Sequence, residues 1–193
     1  LTTALRAEGH RVVRVVRRPP NGADEIGWDP SAGRLDPGDL AGLDAVVHLA
    51  GEGIAAKRWT DAQKQRILTS RTEGTGVLAR ALADAGAEGP KVLLSGSAIG
   101  WYGDRGDEVL TEASGPGRDF LAEVCRQWEA AADPARAAGA RVAHLRTGIV
   151  LDPDGGVLAK QLPLFRLGVG GRIGSGHQYM SWIAVDDEVA AIR

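Results

Sequence analysis

Four places along this 193-residue chain combine residue types and spacings capable of chemistry. The first is Val16-Arg17-Arg18-Pro19-Pro20, two arginines and no acid where the apolar run Val12–Val16 ends. In dinucleotide-binding sheets an acid at such an exit bonds the 2′-hydroxyl of NAD, whereas arginine accommodates the 2′-phosphate of NADP. Arg17 and Arg18 therefore point to NADP(H); the competing reading is a solvated basic turn. The second is Val47-His48-Leu49-Ala50-Gly51-Glu52, whose small residues let a ligand come close to the backbone. An ordinary tight strand exit has the same composition. The third is a helical stripe, Ile67, Arg71, Gly74, Leu78 and Leu82. Arg71 interrupts this inward row, and a buried guanidinium needs an anionic or hydrogen-bonding partner. A cofactor phosphate, ribose or carboxamide would serve, and so would an internal salt bridge. The fourth is Ser95-Gly96-Ser97-Ala98-Ile99-Gly100-Trp101-Tyr102-Gly103-Asp104. Hydroxyls at a strand's carboxyl end are placed to bond a substrate carbonyl, although Ser and Gly are also turn residues.

These groups need elements to hold them. Apolar runs of strand length occur at Val12–Val16, Ala45–Ala50, Val92–Ser95 and Val142–Leu145. They are apolar almost throughout, as strands covered on both faces are. The pattern predicts a helix over Thr60–Ala85, capped by Thr60-Asp61 and closed by Gly86, and a second over Asp119–Ala138, ending near Gly139. A shorter helix opens the chain and ends near Gly9. Strand, helix, strand, helix, strand is the rhythm of an α/β, Rossmann-like doubly wound parallel sheet, which binds ligands at the carboxyl ends of its strands. The stretches Pro19–Gly42 and Ile99–Gly117 read as loops. After Val150 the rhythm is lost, and Gly-rich loops frame a short helix near Val157–Leu167. The expected organisation is a nucleotide-binding domain over residues 1–150 and the start of a small substrate-binding lobe over 151–193. His177, Gln178 and Trp182 are candidate substrate contacts in that lobe, with packing and surface turn as the alternative.

Composition narrows the partners. With 44% hydrophobic and 25% charged residues the chain can bury a sizeable core. A net charge of −2 gives no reason to expect nucleic acid or an anionic membrane. No apolar run approaches transmembrane length, and no basic-then-apolar leader opens the chain. The single cysteine, Cys125, leaves no internal disulfide and fits a reducing, cytoplasmic setting. One Cys and four scattered His are no Cys/His-rich metal site. The first residue is not Met, and both ends fall in helical patterns, so a segment of a longer protein is expected.

Several ordered blocks carry a family resemblance: Asp44–Glu52, Lys57–Thr60, Ser95–Gly103, Asp119–Glu129, Leu145–Leu151, Gly174–Ile183 and Asp186-Asp187. The chain resembles an extended short-chain dehydrogenase/reductase, and within that superfamily the atypical "epimerase family" branch of NADP-binding proteins. The resemblance implies a Rossmann-type sheet with NADP(H) across its strand ends. It implies that Arg17 and Arg18 face the 2′-phosphate, that Leu49, Ala50, Gly51 and Ser95 line the cofactor, and that Arg71 reaches it from its helix. Ser97 matches the superfamily's catalytic serine, and the segment Thr147–Val150 would lie beside the nicotinamide. Extended members often form homodimers through a four-helix face.

Two departures stand out. The superfamily's Tyr-x-x-x-Lys pair falls on Phe120 and Val124, which cannot transfer protons. Tyr102 is the nearest replacement phenol, with no lysine close in sequence. The superfamily's first strand and its Gly-x-x-Gly-x-x-Gly loop would lie before Leu1. Without that strand, a break is expected between the Val12–Val16 strand and the Val92–Ser95 strand, with unpaired backbone groups beside it. These residues alone are expected to fold poorly and to hold cofactor weakly. The leading expectation is an NADP(H)-dependent oxidoreductase moving hydride to or from a small carbonyl or alcohol substrate, with Ser97 and Tyr102 polarising the substrate oxygen. The rivals are a non-catalytic NADP(H)-binding sensor or scaffold, and a nucleotide-sugar epimerase or dehydratase weakened by the missing pair.

Overall fold

The computed structural model describes residues 1–54, 57–172 and 174–193. The β-branched runs form parallel strands. β1 (Arg14–Val16) pairs with β2 (Glu25–Gly27). β3 (Ala45–His48), β4 (Val92–Ala98) and β5 (Arg141–Thr147) form a three-stranded parallel sheet in that order. Its register aligns Val46 with Leu93 and Val142, and places Ser97 opposite Arg146. β6 (Ile149–Leu151) and β7 (Trp182–Ala184) make a third parallel pair. The helices are α1 (Thr2–Ala7), α2 (Asp61–Asp84), α3 (Phe120–Ala130), α4 (Asp133–Ala137), α5 (Gly156–Arg166) and α6 (Val185–Ile192). Among the described residues no helix is long and apolar enough to cross a membrane.

α2 organises the rest. Thr60 caps it by accepting from the Gln63 amide, and Asp119 caps α3 in the same way through the Ala122 amide. The stripe read from the sequence is real: Ile67, Gly74, Leu78 and Leu82 are buried and Arg71 is half-buried. Each buried leucine or isoleucine on it contributes roughly 1.5–3 kcal/mol. Ile26, Leu35 and Leu40, from β2 and the turns after it, share one core with Val46, Leu93, Val77, Leu78 and Leu82. α2 packs against the single 3-10 turns Pro30–Ala32 and Pro37–Leu40 that follow β2.

The sheet has the expected break: among the described residues no strand joins β1 to β3. Its place differs, because β4 is not at the break but central, between β3 and β5. Short α crossovers put successive parallel strands side by side, which makes β3 the strand with a free edge. Other boundaries also move. The Pro19–Gly42 stretch contains β2 and two 3-10 turns rather than loop alone. The Asp119–Ala138 helix divides at Ala131–Ala132, because Pro134 has no amide to continue it and is tolerated only in the first turn of α4. β4 runs three residues beyond the expected Ser95, so Ser97 is a strand residue. The region after Val150 is not only loop and helix, since β6 spans the 150/151 boundary and pairs with β7. Three-residue strands carry too few alternations for a periodic signal.

Candidate functional site

At the carboxyl ends of β4 and β5, α3 brings a carboxylate to a serine, an arginine and a tyrosine. Ser97 Oγ donates to Glu129 Oε1 at 2.6 Å. Arg146 grips the same carboxylate from β5, Nε to Oε1 at 2.8 Å and Nη2 to Oε2 at 3.0 Å. Its remaining nitrogen, Nη1, donates to the Tyr102 hydroxyl at 3.2 Å and to the Glu112 carbonyl at 3.1 Å. The guanidinium also lies 3.9 Å from the centre of the Trp101 ring, whose Nε1 donates to Ser114. Burial pushes the Glu129 carboxyl up, but the bonds from Arg146 and Ser97 bring it below its ordinary value. Bonding to Glu129 raises Arg146 above the usual arginine value. Beside the network is a cavity of about 530 Å³, whose lining includes Tyr102, Glu112, Arg146, Thr147 and Glu188. Thr147 Oγ1 donates to Glu188 of α6 at 2.8 Å, which fixes one wall.

This arrangement decides which protons are available. The Ser97 hydroxyl is buried and its proton is committed to Glu129, so Ser97 presents lone pairs rather than a donor. The Tyr102 oxygen accepts from Arg146, which leaves its own proton to donate. Phe120 and Val124 are elsewhere on α3: Val124 is buried, and Phe120 meets Trp59 edge-on, ring centres 5.6 Å apart. Glu129 and Arg146 were not singled out in the sequence. Their signal is the one that marked Arg71, a charge on a buried stripe: Glu129 stands four residues after Cys125, and Arg146 continues the alternation Val142, His144.

The exit of β3 is held by α2. Glu52 is fixed at three points: its amide donates to Ser70 Oγ (3.0 Å), its carbonyl accepts from Arg71 Nη1 (3.0 Å), and its carboxylate accepts from Gln63 Nε2 (3.3 Å). Leu49, Ala50 and Gly51 just before it are exposed. A Cβ on Gly51 would stand 3.2 Å from the Arg71 guanidinium, so this side chain lies on the loop itself. Arg71 also stacks 5.0 Å from the centre of the Trp128 ring, and burial lowers its pKa. Trp128, whose Nε1 donates to Thr75, covers Gly96, where a Cβ would come within 2.9 Å of the ring. Ser95 is fully buried, its hydroxyl turned to the Gly96 carbonyl at 3.3 Å.

The exit of β1 needs a correction. The sequence showed two arginines and no acid, but β2 supplies one. Arg18 makes two bonds of 2.6 Å to Glu25, and Arg14 adds a third. The Arg18 bond and the Asn21 amide hold the Glu25 carboxyl at about 2. Arg18 therefore faces Glu25, whereas Arg17 is exposed with no partner among the described residues. The parallel register that pairs Arg14 with Glu25 is what brings the acid there. Val150 is half-buried in β6. His177, Gln178 and Trp182 are exposed, the last in β7; the His177 amide donates to Ser175 Oγ, which in turn donates to Gln178 Oε1.

The chain matches, over residues 1–193, the family described as the NAD dependent epimerase/dehydratase family. An epimerase family protein of Mycobacterium bovis is 49% identical over the whole chain, which spans 63% of that relative's length. The human epimerase family protein SDR39U1 is 38% identical over 97% of the chain and 62% of its own length. The chain thus spans somewhat under two thirds of these relatives. Among solved structures, a nucleoside-diphosphate sugar epimerase from Corynebacterium glutamicum is 43% identical with a TM-score of 0.86, covering 99% of this chain and 39% of that one. Human SDR39U1, solved with NADPH, is 35% identical with a TM-score of 0.83, covering 96% and 61%. By the full-length family match and by the parallel-sheet fold it shares with these structures, the chain belongs to the NAD dependent epimerase/dehydratase family.

Proposed function

We propose that the protein binds NADP(H) across the carboxyl ends of its parallel strands and transfers hydride between the nicotinamide and a small carbonyl or alcohol substrate. The residues present fit the cofactor: Arg17 is an unpaired guanidinium at the exit of β1, Leu49–Gly51 lie open at the exit of β3, and Arg71 keeps donors free beside them. The solved human relative carries NADPH. When bound, the nicotinamide supplies or accepts the hydride.

The observation that carries the catalytic half is the bond from Arg146 to Tyr102. Reduction of a carbonyl places negative charge on its oxygen and needs a proton there. Tyr102 has a proton to give, and the guanidinium 3.2 Å from its oxygen stabilises the anion left behind. Glu129 holds Arg146 in place for this, and Ser97, with its own proton on Glu129, accepts from a substrate hydroxyl. Phe120 and Val124, without protons to transfer, favour the second reading, an NADP(H)-binding sensor that does not turn over. The small-molecule partner, the homodimer and the cytoplasmic setting expected from the sequence belong to the first reading.

The test is a titration of the intact protein with NADPH and NADH in parallel, followed by NADPH oxidation across a panel of small carbonyls. NADPH should bind more tightly, and Arg17→Ala should remove most of the difference. Equal or absent binding of the two nucleotides overturns the cofactor assignment. Turnover that survives Tyr102→Phe unchanged overturns the proton donor, and tight NADPH binding without turnover on any carbonyl selects the sensor.

A further inference from the structure

The N-terminal ends of α2 and α3 stand at the carboxyl ends of β3 and β4, because each helix runs back along the sheet after its strand. Trp59 immediately precedes the Thr60 cap of α2, and Phe120 immediately follows the Asp119 cap of α3. Their rings meet edge-on, and the Lys64 ammonium lies 5.7 Å from the centre of the Phe120 ring. The Trp59 Nε1 is already engaged, donating to the Ile54 carbonyl at 2.8 Å, so what the indole offers to solvent is apolar. Yet Trp59 is 41% exposed, and Ile54 beside it is exposed as well. An indole held by a hydrogen bond and a ring contact, and still open to water, is a rigid anchor ready to be covered.

The surrounding charge says by what. Lys57, Arg58, Lys64 and Arg118 flank the two aromatics along the chain, and among the described residues no carboxylate forms an ion pair with any of them. The acids nearby are mostly engaged: Asp119 accepts the Ala122 amide, Glu123 pairs with Arg126, and the Glu52 carboxylate accepts from Gln63. Asp61, in the first turn of α2, is the exception. Cations are therefore in excess where two helix N-termini also favour negative charge. Glu112 and Glu188, by contrast, line the cavity beside Tyr102, so a substrate anion is directed away from that cavity. Resting on the NADP(H) reductase reading, we infer that Trp59 and Phe120 form a platform for the ring of an aromatic carbonyl or alcohol substrate, and that Lys64 meets an anionic group carried on that ring.

Three aldehydes separate ring from charge: 4-carboxybenzaldehyde has both, benzaldehyde the ring alone, glyoxylate the charge alone. Each is titrated against the intact protein with and without NADP+, where no hydride is available and only binding is read. 4-Carboxybenzaldehyde should bind more tightly than either of the others. Trp59→Ala should weaken both aromatic aldehydes about tenfold, the scale of a lost aromatic contact. Lys64→Met should weaken 4-carboxybenzaldehyde about fivefold, the scale of an exposed ion pair, and affect benzaldehyde least. Phe120→Leu keeps the start of α3 apolar and tests the platform from its other side; it should weaken the aromatic aldehydes less than Trp59→Ala does. Affinity for NADPH should stay unchanged in all three variants. A matching loss of NADPH affinity makes the platform a cofactor wall and overturns the substrate assignment. A change of oligomeric state in Trp59→Ala, read by sedimentation, makes it a contact between two copies and overturns it too. A parent protein that binds NADPH but shows no preference among the aldehydes overturns the platform and leaves the NADP(H) reading intact. A parent that prefers 4-carboxybenzaldehyde but binds neither NADPH nor NADP+ overturns that reading and leaves the platform.

Discussion

The molecule contains two arginine–carboxylate clusters that differ chiefly in the exposure of their arginines. At the rim of β1 and β2, Arg14 and Arg18 converge on Glu25, the two arginine side chains more than half exposed and the Glu25 side chain only 4% exposed. Between β4, β5 and α3, Arg146 and Glu129 meet with side chains only 19% and 10% exposed. Water reaches the arginines of the first cluster, so losing either one alone costs little, and the pairing mainly decides which arginine stays free. The second is removed from water, so either partner alone would be an uncompensated buried charge. It also does geometric work, since Ser97 and Tyr102 take their hydrogen bonds from it. The same two residue types thus leave Arg17 unpaired among the described residues in one place and hold Ser97 and Tyr102 in the other.

The largest effect expected from breaking this comparison is at Glu129. Glu129→Ala strands the Arg146 guanidinium and the Ser97 hydroxyl together, and should cost about 3 kcal/mol or more in urea unfolding. A loss no larger than that of a rim substitution would mean the inner pair is solvated and the contrast is false.

A middle-sized effect comes from a buried group without an ionic partner. His48 packs edge-on against Trp28, and burial lowers its pKa to about 4 from 6.5. Because the folded value is the lower one, protonation favours the unfolded chain. Its contribution is complete above about pH 6.5 and is lost as the pH falls toward 4. Melting temperature should therefore drop between pH 7 and pH 4.5, and His48→Gln should flatten that slope; an identical slope in the variant would assign the acid sensitivity elsewhere. Glu25, held at about 2 from 4.5, gives up its contribution only below this window.

The smallest effect is expected at the rim. Arg14→Gln, which leaves Arg18 on Glu25, should lower stability slightly, and added salt should shrink the difference. A salt-independent loss comparable to that of Glu129→Ala would place Arg14 with the inner cluster.

Much of this architecture is readable in the residues. The β-branched runs mark β1, β3, β4 and β5, the Thr60 and Asp119 caps open α2 and α3, and the stripe through Arg71 gives the buried face of α2. These signals are local, and local propensity and periodicity report them. β2, β6 and β7 are not readable, because three residues carry no period and their pairing partners come from elsewhere in the chain. The division between α3 and α4 was legible in Pro134 but hidden by continuous alanine-rich helix propensity on both sides.

The candidate site divides along the same line. The sequence by itself determined which residue types stand at the strand exits: arginines after β1, small residues after β3, hydroxyls along β4. It also determined the lack of proton-transferring groups at Phe120 and Val124. Only the tertiary structure decided how those groups are used. The β1–β2 register sets Glu25 against Arg18 and leaves Arg17 free. The β4–β5 register sets Arg146 beside Ser97, and α3 lays Glu129 between them. Tyr102 acquires a cation from 44 residues away. Hydrogen-bond partners that distant depend on strand register and helix packing, and the free energy that selects those is shared across the whole core rather than encoded in any one segment.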